Sequence, residues 1–210
     1  MELEIMSPAE IEKKSFEIID GLLTQMGAEP DEETGFITKR VIHTSADTEY
    51  AKTMYYSPGS VSRAVEMLKE GASVITDTNM ALTGINKNAA KKLGLKLFCF
   101  MADEDVAREA GERNVTRAFV SMERGMKLPG RKIFVCGNAP TALISLLEIH
   151  KRGEAVDLVI AVPVGFVNVV SSKELIMASD IPCIVNRGRK GGSNIAAAIV
   201  NALMYKILNP

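Results

Sequence analysis

From about residue 73 onward, short apolar runs rich in β-branched residues alternate with helix-patterned segments, and each run ends in glycine, asparagine, aspartate or proline. Alternation of this kind reads as βα units, because strands that are hydrophobic on both faces need helices on both sides. The runs predict strands over Ser73–Thr76, Lys96–Met101, Lys132–Cys136, Leu158–Val162 and Pro182–Val185. Helices are expected over Glu104–Gly111, Thr116–Met126, Pro140–Gly153 and Ser171–Ala178, with a long alanine-rich helix over Ser193–Leu208 closing the fold. The expected class is therefore α/β: one domain over residues 1–210, with a mostly parallel five-stranded sheet covered by helices on both faces. A chain of 210 residues with 47% hydrophobic content has enough apolar material for such a core.

The first seventy residues read differently. Ser7-Pro8-Ala9-Glu10 is a capping-box start with proline in the first turn, so a helix begins there. Its core stripe is expected to be Ile11, Ile18, Leu22 and Met26, with Ser15 on the same stripe. That serine either bonds back to its own helix or presents a hydroxyl at a site. The acidic turn Asp31-Glu32-Glu33 predicts a second helix carrying Phe36, Arg40 and His43 at i, i+4 and i+7. Arg40 and His43 should point together.

Several functions are disfavoured. A formal net charge of −1 gives no global attraction to nucleic acid or to an anionic membrane. No stretch reaches the ~18 apolar residues of a membrane span, and Met-Glu-Leu-Glu does not begin a signal peptide, so a soluble cytoplasmic protein is expected. Cys99, Cys136 and Cys183 lie in hydrophobic runs without ligand spacing, as reduced core thiols do. There is no Walker string and no G-x-G-x-x-G after the first strand. The only histidines, His43 and His150, have no ligand pattern, so no bound metal is expected. His150 stands at a basic helix end, where the helix dipole accounts for it. His43 follows the apolar pair Val41-Ile42 at the edge of a polar turn and can serve in proton transfer.

In an open parallel sheet, ligands bind beyond the carboxyl ends of the strands. Three segments there carry chemistry. Gly137-Asn138-Ala139-Pro140-Thr141 leads into a helix whose first amides form a cradle for an anion. Pro163-Val164-Gly165-Phe166-Val167 is an apolar loop, followed by a second capping box from Ser171 to Glu174. Asn186-Arg187-Gly188-Arg189-Lys190-Gly191-Gly192-Ser193 joins three cations to a glycine pair before a helix, either a multi-anion site or a solvated turn.

Taken with Ser15-Phe16, Arg40-Val41-Ile42-His43 and Ser57-Pro58, and in this order and spacing, these strings resemble the precorrin-8X / cobalt-precorrin-8 methylmutase family of corrin biosynthesis. The likeness runs from about residue 5 to about residue 205. It implies a cofactor-independent isomerase of one α/β domain, working as a homodimer. Such an enzyme moves a methyl group from C11 to C12 of precorrin-8X or cobalt-precorrin-8, giving hydrogenobyrinate or cobyrinate. Any cobalt would belong to the substrate. The family's acid–base histidine corresponds to His43, and its substrate-contacting serine and arginine to Ser15 and Arg40. The substrate's carboxylates suit Arg117, Gly137, Asn138, Thr141, Arg187, Gly191, Gly192 and Ser193, and its macrocycle suits Val164 and Gly165. Neighbouring enzymes of the same pathway are candidate partners. Two other readings share these features: a carrier that binds a tetrapyrrole unchanged, and another cofactor-free isomerase or lyase of a polycarboxylate.

Overall fold

The computed structural model describes residues 5–209. Residues 1–4, read above for a signal peptide, and Pro210 lie outside that range. The chain opens with α1 (Pro8–Met26), α2 (Gly35–Ser45), α3 (Tyr50–Thr53), β1 (Met54–Tyr56) and α4 (Ser60–Lys69). Next come β2 (Ser73–Thr76), α5 (Asn79–Gly84), α6 (Lys87–Lys92), β3 (Lys96–Phe98), α7 (Glu104–Glu112) and α8 (Arg117–Met126). The remainder is β4 (Lys132–Cys136), α9 (Pro140–Lys151), β5 (Leu158–Ala161), α10 (Val169–Met177), β6 (Cys183–Asn186) and α11 (Ser193–Leu208).

The sheet has six strands in the order β1-β6-β5-β4-β2-β3, one more than expected. The extra strand, β1, is antiparallel to β6, pairing Met54 with Asn186 and Tyr56 with Ile184, while all other pairings are parallel. It is a three-residue, half-buried edge strand, so it lacks the continuous apolar run that marks the buried ones.

Alternate strand residues feed two cores. Val74, Ile133, Val135, Leu158, Ile160 and Ile184 pack with α2, α4 and α11 on one face. Ile75, Phe134, Cys136, Val159, Ala161 and Val185 pack with α8, α9 and α10 on the other. This period-two division makes a three-layer sandwich with helices on both faces.

Two local expectations are corrected. The predicted capping box at Ser171 is absent: α10 starts two residues earlier, after Asn168 in the left-handed conformation at φ 59°, so Ser171 lies inside the helix. The capping box at α1 is present, with Ser7 and Glu10 bonded reciprocally. The face α1 buries is not the predicted one, however. Ile19 and Leu23 enter the core, while Ile11, Ile18, Leu22 and Met26 are exposed. No helix among the described residues is long and apolar enough to cross a membrane.

Candidate active site along the carboxyl ends of the strands

Strand order reverses between β2 and β4: from β2 the chain steps to β3 on one side and returns to β4 on the other. A crevice opens at such a switch point, and there ligands of open α/β sheets bind. Here the crevice is filled from within. Asp77, the residue after β2, is fully buried and accepts hydrogen bonds from the amides of Gly137 (2.8 Å), Asn138 (2.7 Å) and Ala139 (2.7 Å). The amides expected to be free for a substrate anion are thus bonded to the protein's own carboxylate. Burial pushes the Asp77 carboxyl above the usual carboxylate range, against the opposing pull of these amides. Gly137 serves close packing: a Cβ there would lie 2.8 Å from the Cα of Ser193 at the start of α11. Ser193 in turn shares a 2.8 Å hydrogen bond with Thr78, the residue after Asp77.

Ligand-accessible surface therefore lies on the rim around this plug. On one side a groove of about 510 Å³ is lined by Arg117, Asn138, Thr141, Val167 and Asn168 among others. Arg117 is exposed at the first turn of α8, whose N-cap Thr116 donates to the Thr141 hydroxyl at 2.7 Å. Three of the expected site residues, Arg117, Asn138 and Thr141, are thereby brought together. Beside the groove, the Val164–Val167 loop presents Val164, Phe166 and Val167 to solvent, Phe166 being 85% exposed.

The loop after β6 is docked against that apolar loop. The Gly165 amide donates to Arg189 O at 3.1 Å, and the Gly192 amide donates to Val162 O at 2.9 Å. Gly191 stands at φ 153°, and any Cβ there would fall 2.1 Å from Val162 O, so only glycine fits. The three cations have different fates. Lys190 is paired with Asp47 (2.5 Å) and Glu49 (2.6 Å), which raise the pKa of its ammonium, while the Asp47 carboxyl is lowered by the same contact. Arg187 and Arg189 carry no carboxylate partner among the described residues. Each is exposed and lies over an aromatic ring, Arg187 above Tyr55 at 5.0 Å and Arg189 above Phe166 at 5.8 Å. Two guanidinium groups stay available for anions.

The Lys190–Asp47 pair ties this loop to the end of α2, where His43 occupies the last turn. His43 is exposed, and its ring stacks on Phe16 of α1 at 5.2 Å between centroids and 14° between planes. Arg40 reaches the same ring from 4.8 Å, so the expected convergence of Arg40 and His43 occurs, with Phe16 between them. Arg40 also pairs with Glu12 at 2.6 Å and lies over Tyr205 at 5.4 Å. It lines a cavity of about 660 Å³ between α1, α2 and α11. The Ser15 hydroxyl donates to Ile11 O at 2.7 Å, which leaves its acceptor lone pairs for a ligand. His150 lies elsewhere, against Asp180, as befits a structural role.

Sequence reasoning passed over two groups. Asp77 has a legible signal in retrospect, an acid directly after a fully buried strand and facing a Gly-Asn-Ala-Pro turn. Lys173 is fully buried, and its ammonium donates to Gly188 O at 2.9 Å and Lys190 O at 2.8 Å. Burial pushes its pKa down to about 8. It follows Val169 by four positions and precedes Ile176 by three, a core position on an amphipathic helix occupied by a lysine.

Comparison with known proteins bears on the whole chain. The family model described as precorrin-8X methylmutase matches residues 10–206. A cobalt-precorrin-8 methylmutase of Priestia megaterium is 40% identical over 200 residues, covering 94% of this chain and 88% of that one. A protein of the same description from Salmonella typhimurium is 39% identical over 209 residues, covering 97% of each chain. The solved structure of a precorrin-8X methylmutase from Thermus thermophilus superposes with a TM-score of 0.84 at 31% identity, covering 95% of this chain and 98% of the other. Over its shared sequence and fold alike, the chain belongs to the precorrin-8X methylmutase family.

Proposed function

We propose that this enzyme moves a methyl group from C11 to C12 of cobalt-precorrin-8, giving cobyrinate, with precorrin-8X and hydrogenobyrinate as the metal-free pair. The observation that carries the reading is that the Lys190–Asp47 pair holds the Arg187–Arg189 loop, with two guanidinium groups lacking carboxylate partners among the described residues, between the apolar Val164–Val167 loop and the end of the helix that carries His43. A suprafacial 1,5-shift around a conjugated ring conserves every atom of the substrate. It needs only a proton lent to the macrocycle and then returned. His43 supplies it, and general acid–base assistance is worth about 10²–10⁴-fold. Arg187, Arg189 and Arg117 meet the acetate and propionate carboxylates, with Asn138, Thr141 and the half-buried Gly191 completing that contact, while Gly192 and Ser193 are buried and already bonded within the fold. Val164, Gly165, Phe166 and Val167 bear on the macrocycle face. Ser15 and Arg40 flank the ring edge near His43, where a substrate carboxylate exchanges with Glu12 for Arg40.

No cofactor takes part, and the cobalt is cargo of the substrate. The cobalt form is favoured because the Priestia and Salmonella relatives carry that name. The unpaired thiols of Cys99, Cys136 and Cys183 suit an enzyme of the cytoplasm. Anaerobic incubation with each substrate, followed by absorbance, tests the reading. Spectral conversion is expected with both and faster with the cobalt form; a flat spectrum with either substrate in turn removes the mutase assignment.

A homodimer accounts for the outward apolar side of α1. Ile11, Ile18, Leu22 and Met26 form a stripe that no described residue covers, on the helix that carries Ser15 and Phe16. Paired with the same stripe of a second copy, it would be buried as one self-complementary seam. Sedimentation at micromolar concentration should give a dimer for the wild type and a folded monomer for Ile18→Glu/Leu22→Glu. A wild-type monomer, or a variant that stays dimeric, counts against this seam.

A further inference from the structure

We infer that Lys173 is a positioning residue of the methyl shift: from inside the fold it shapes the Arg187–Lys190 loop so that its guanidinium groups face the substrate. The inference rests on the proposal that this loop receives substrate carboxylates.

A fully buried ammonium is an expensive choice for a core position, since methionine or leucine would fill the same space without desolvating a charge. Lys173 has no carboxylate partner among the described residues. What it does have is two loop carbonyls, Gly188 O at 2.9 Å and Lys190 O at 2.8 Å. The other carbonyls of the loop are held in the same manner. Asn186 donates its side-chain amide to Arg187 O (3.1 Å) and Lys190 O (2.9 Å), and the Gly165 amide donates to Arg189 O (3.1 Å). Asn186 is itself fixed by the Thr53 hydroxyl at 2.6 Å. Four successive carbonyls, 187 to 190, thus turn inward onto donors. With its acceptors facing in, the loop shows its cations outward, and Arg187 and Arg189 are exposed. A helix-borne amine under such a loop acts as a rigid peg, and its charge, unpaired with any acid, adds to the positive potential above it. Although burial lowers its pKa to about 8, it is mostly protonated at neutral pH.

A double-mutant cycle on the full-length enzyme with cobalt-precorrin-8 tests this. Lys173→Met is expected to raise KM by about tenfold and to change kcat by less than about threefold, the pattern of lost substrate positioning away from the reacting atoms. On an Arg187→Ala/Arg189→Ala background the same change should raise KM by less than about twofold, because the groups it positions are gone. If the fold-changes in KM simply multiply, Lys173 stabilises the fold without positioning the arginines, and the inference is overturned. If the arginine pair alone leaves KM unchanged, the loop does not bind substrate; the reading of the loop fails first, and this one with it. Should Lys173→Met not fold, Lys173→Gln and Lys173→Arg, which keep donors, take its place in the cycle. Failure of all three to fold makes the residue a stability element and overturns the inference.

Discussion

A His43→Ala variant is expected to lose about 10²–10⁴-fold in turnover of cobalt-precorrin-8, while product affinity, read by spectral titration with cobyrinate, changes by no more than about threefold. The separation follows from where the ring sits. His43 is exposed in the last turn of α2 and held by its stack on Phe16, with no hydrogen bond to a described residue, so either nitrogen can address a ligand. Most groups proposed to bind carboxylates lie on other elements, the loop after β6 and the starts of α8 and α9, with Arg40 alone sharing α2. Removing the imidazole should therefore delete proton transfer and leave most of the binding surface. Equal turnover in the variant would point to another acid; tight binding without turnover in the wild type itself would point to a carrier.

Asp77→Ala should cost about 2–4 kcal/mol of stability, because it leaves up to three amides at the switch point without an acceptor, the buried Gly137 amide among them. For a domain of this size that is a drop of roughly 5–15 °C in melting temperature. Asp77→Asn should fall between the two, since its NH2 faces an amide donor in place of one carboxylate oxygen. Thermal melts of the three proteins decide the matter. A melting temperature for Asp77→Ala within about 2 °C of wild type would mean that water replaces the carboxylate at little cost, and that the crevice is open to ligands after all. Because Gly137 also abuts α11 and Ser193 bonds Thr78, the variant should loosen the Gly191–Ser193 turn as well as the start of α9.

The parts of the fold that sequence made legible are those where one physical demand dominates. β2 and β4 have the bounds expected of them because a strand buried on both faces is an unbroken apolar run, and α11 has its expected bounds because a glycine pair precedes an alanine-rich stretch. β1 escaped because three half-buried residues at an antiparallel edge make no such run, and the short helices α5 and α6 are too brief to show a period. The misreading of α1 has a different cause. That helix has apolar residues on two sides, Ile19 and Leu23 facing in and Ile11, Ile18, Leu22 and Met26 facing out, and periodicity identifies an apolar face without saying what covers it. At the site, the convergence of Arg40 and His43 on one face of α2 could be foreseen because helical spacing is local. The neutralisation of Lys190 by Asp47 and Glu49, and the capture of the 137–139 amides by Asp77, join residues 141 and 143 apart in one case and about 60 in the other. Nothing local encodes them.

The Asp77 plug has a consequence for how this fold answers to its surroundings. In an α/β protein whose switch-point amides await a dissolved anion, that corner of the molecule stiffens and slackens with ligand concentration. Here the anion is tethered to the chain, and its effective concentration is fixed by covalent geometry. The β2–β4 junction is thereby made indifferent to phosphate or to scarcity of substrate. Under the proposed function, any tightening on binding falls to the outer rim of arginines and apolar loop.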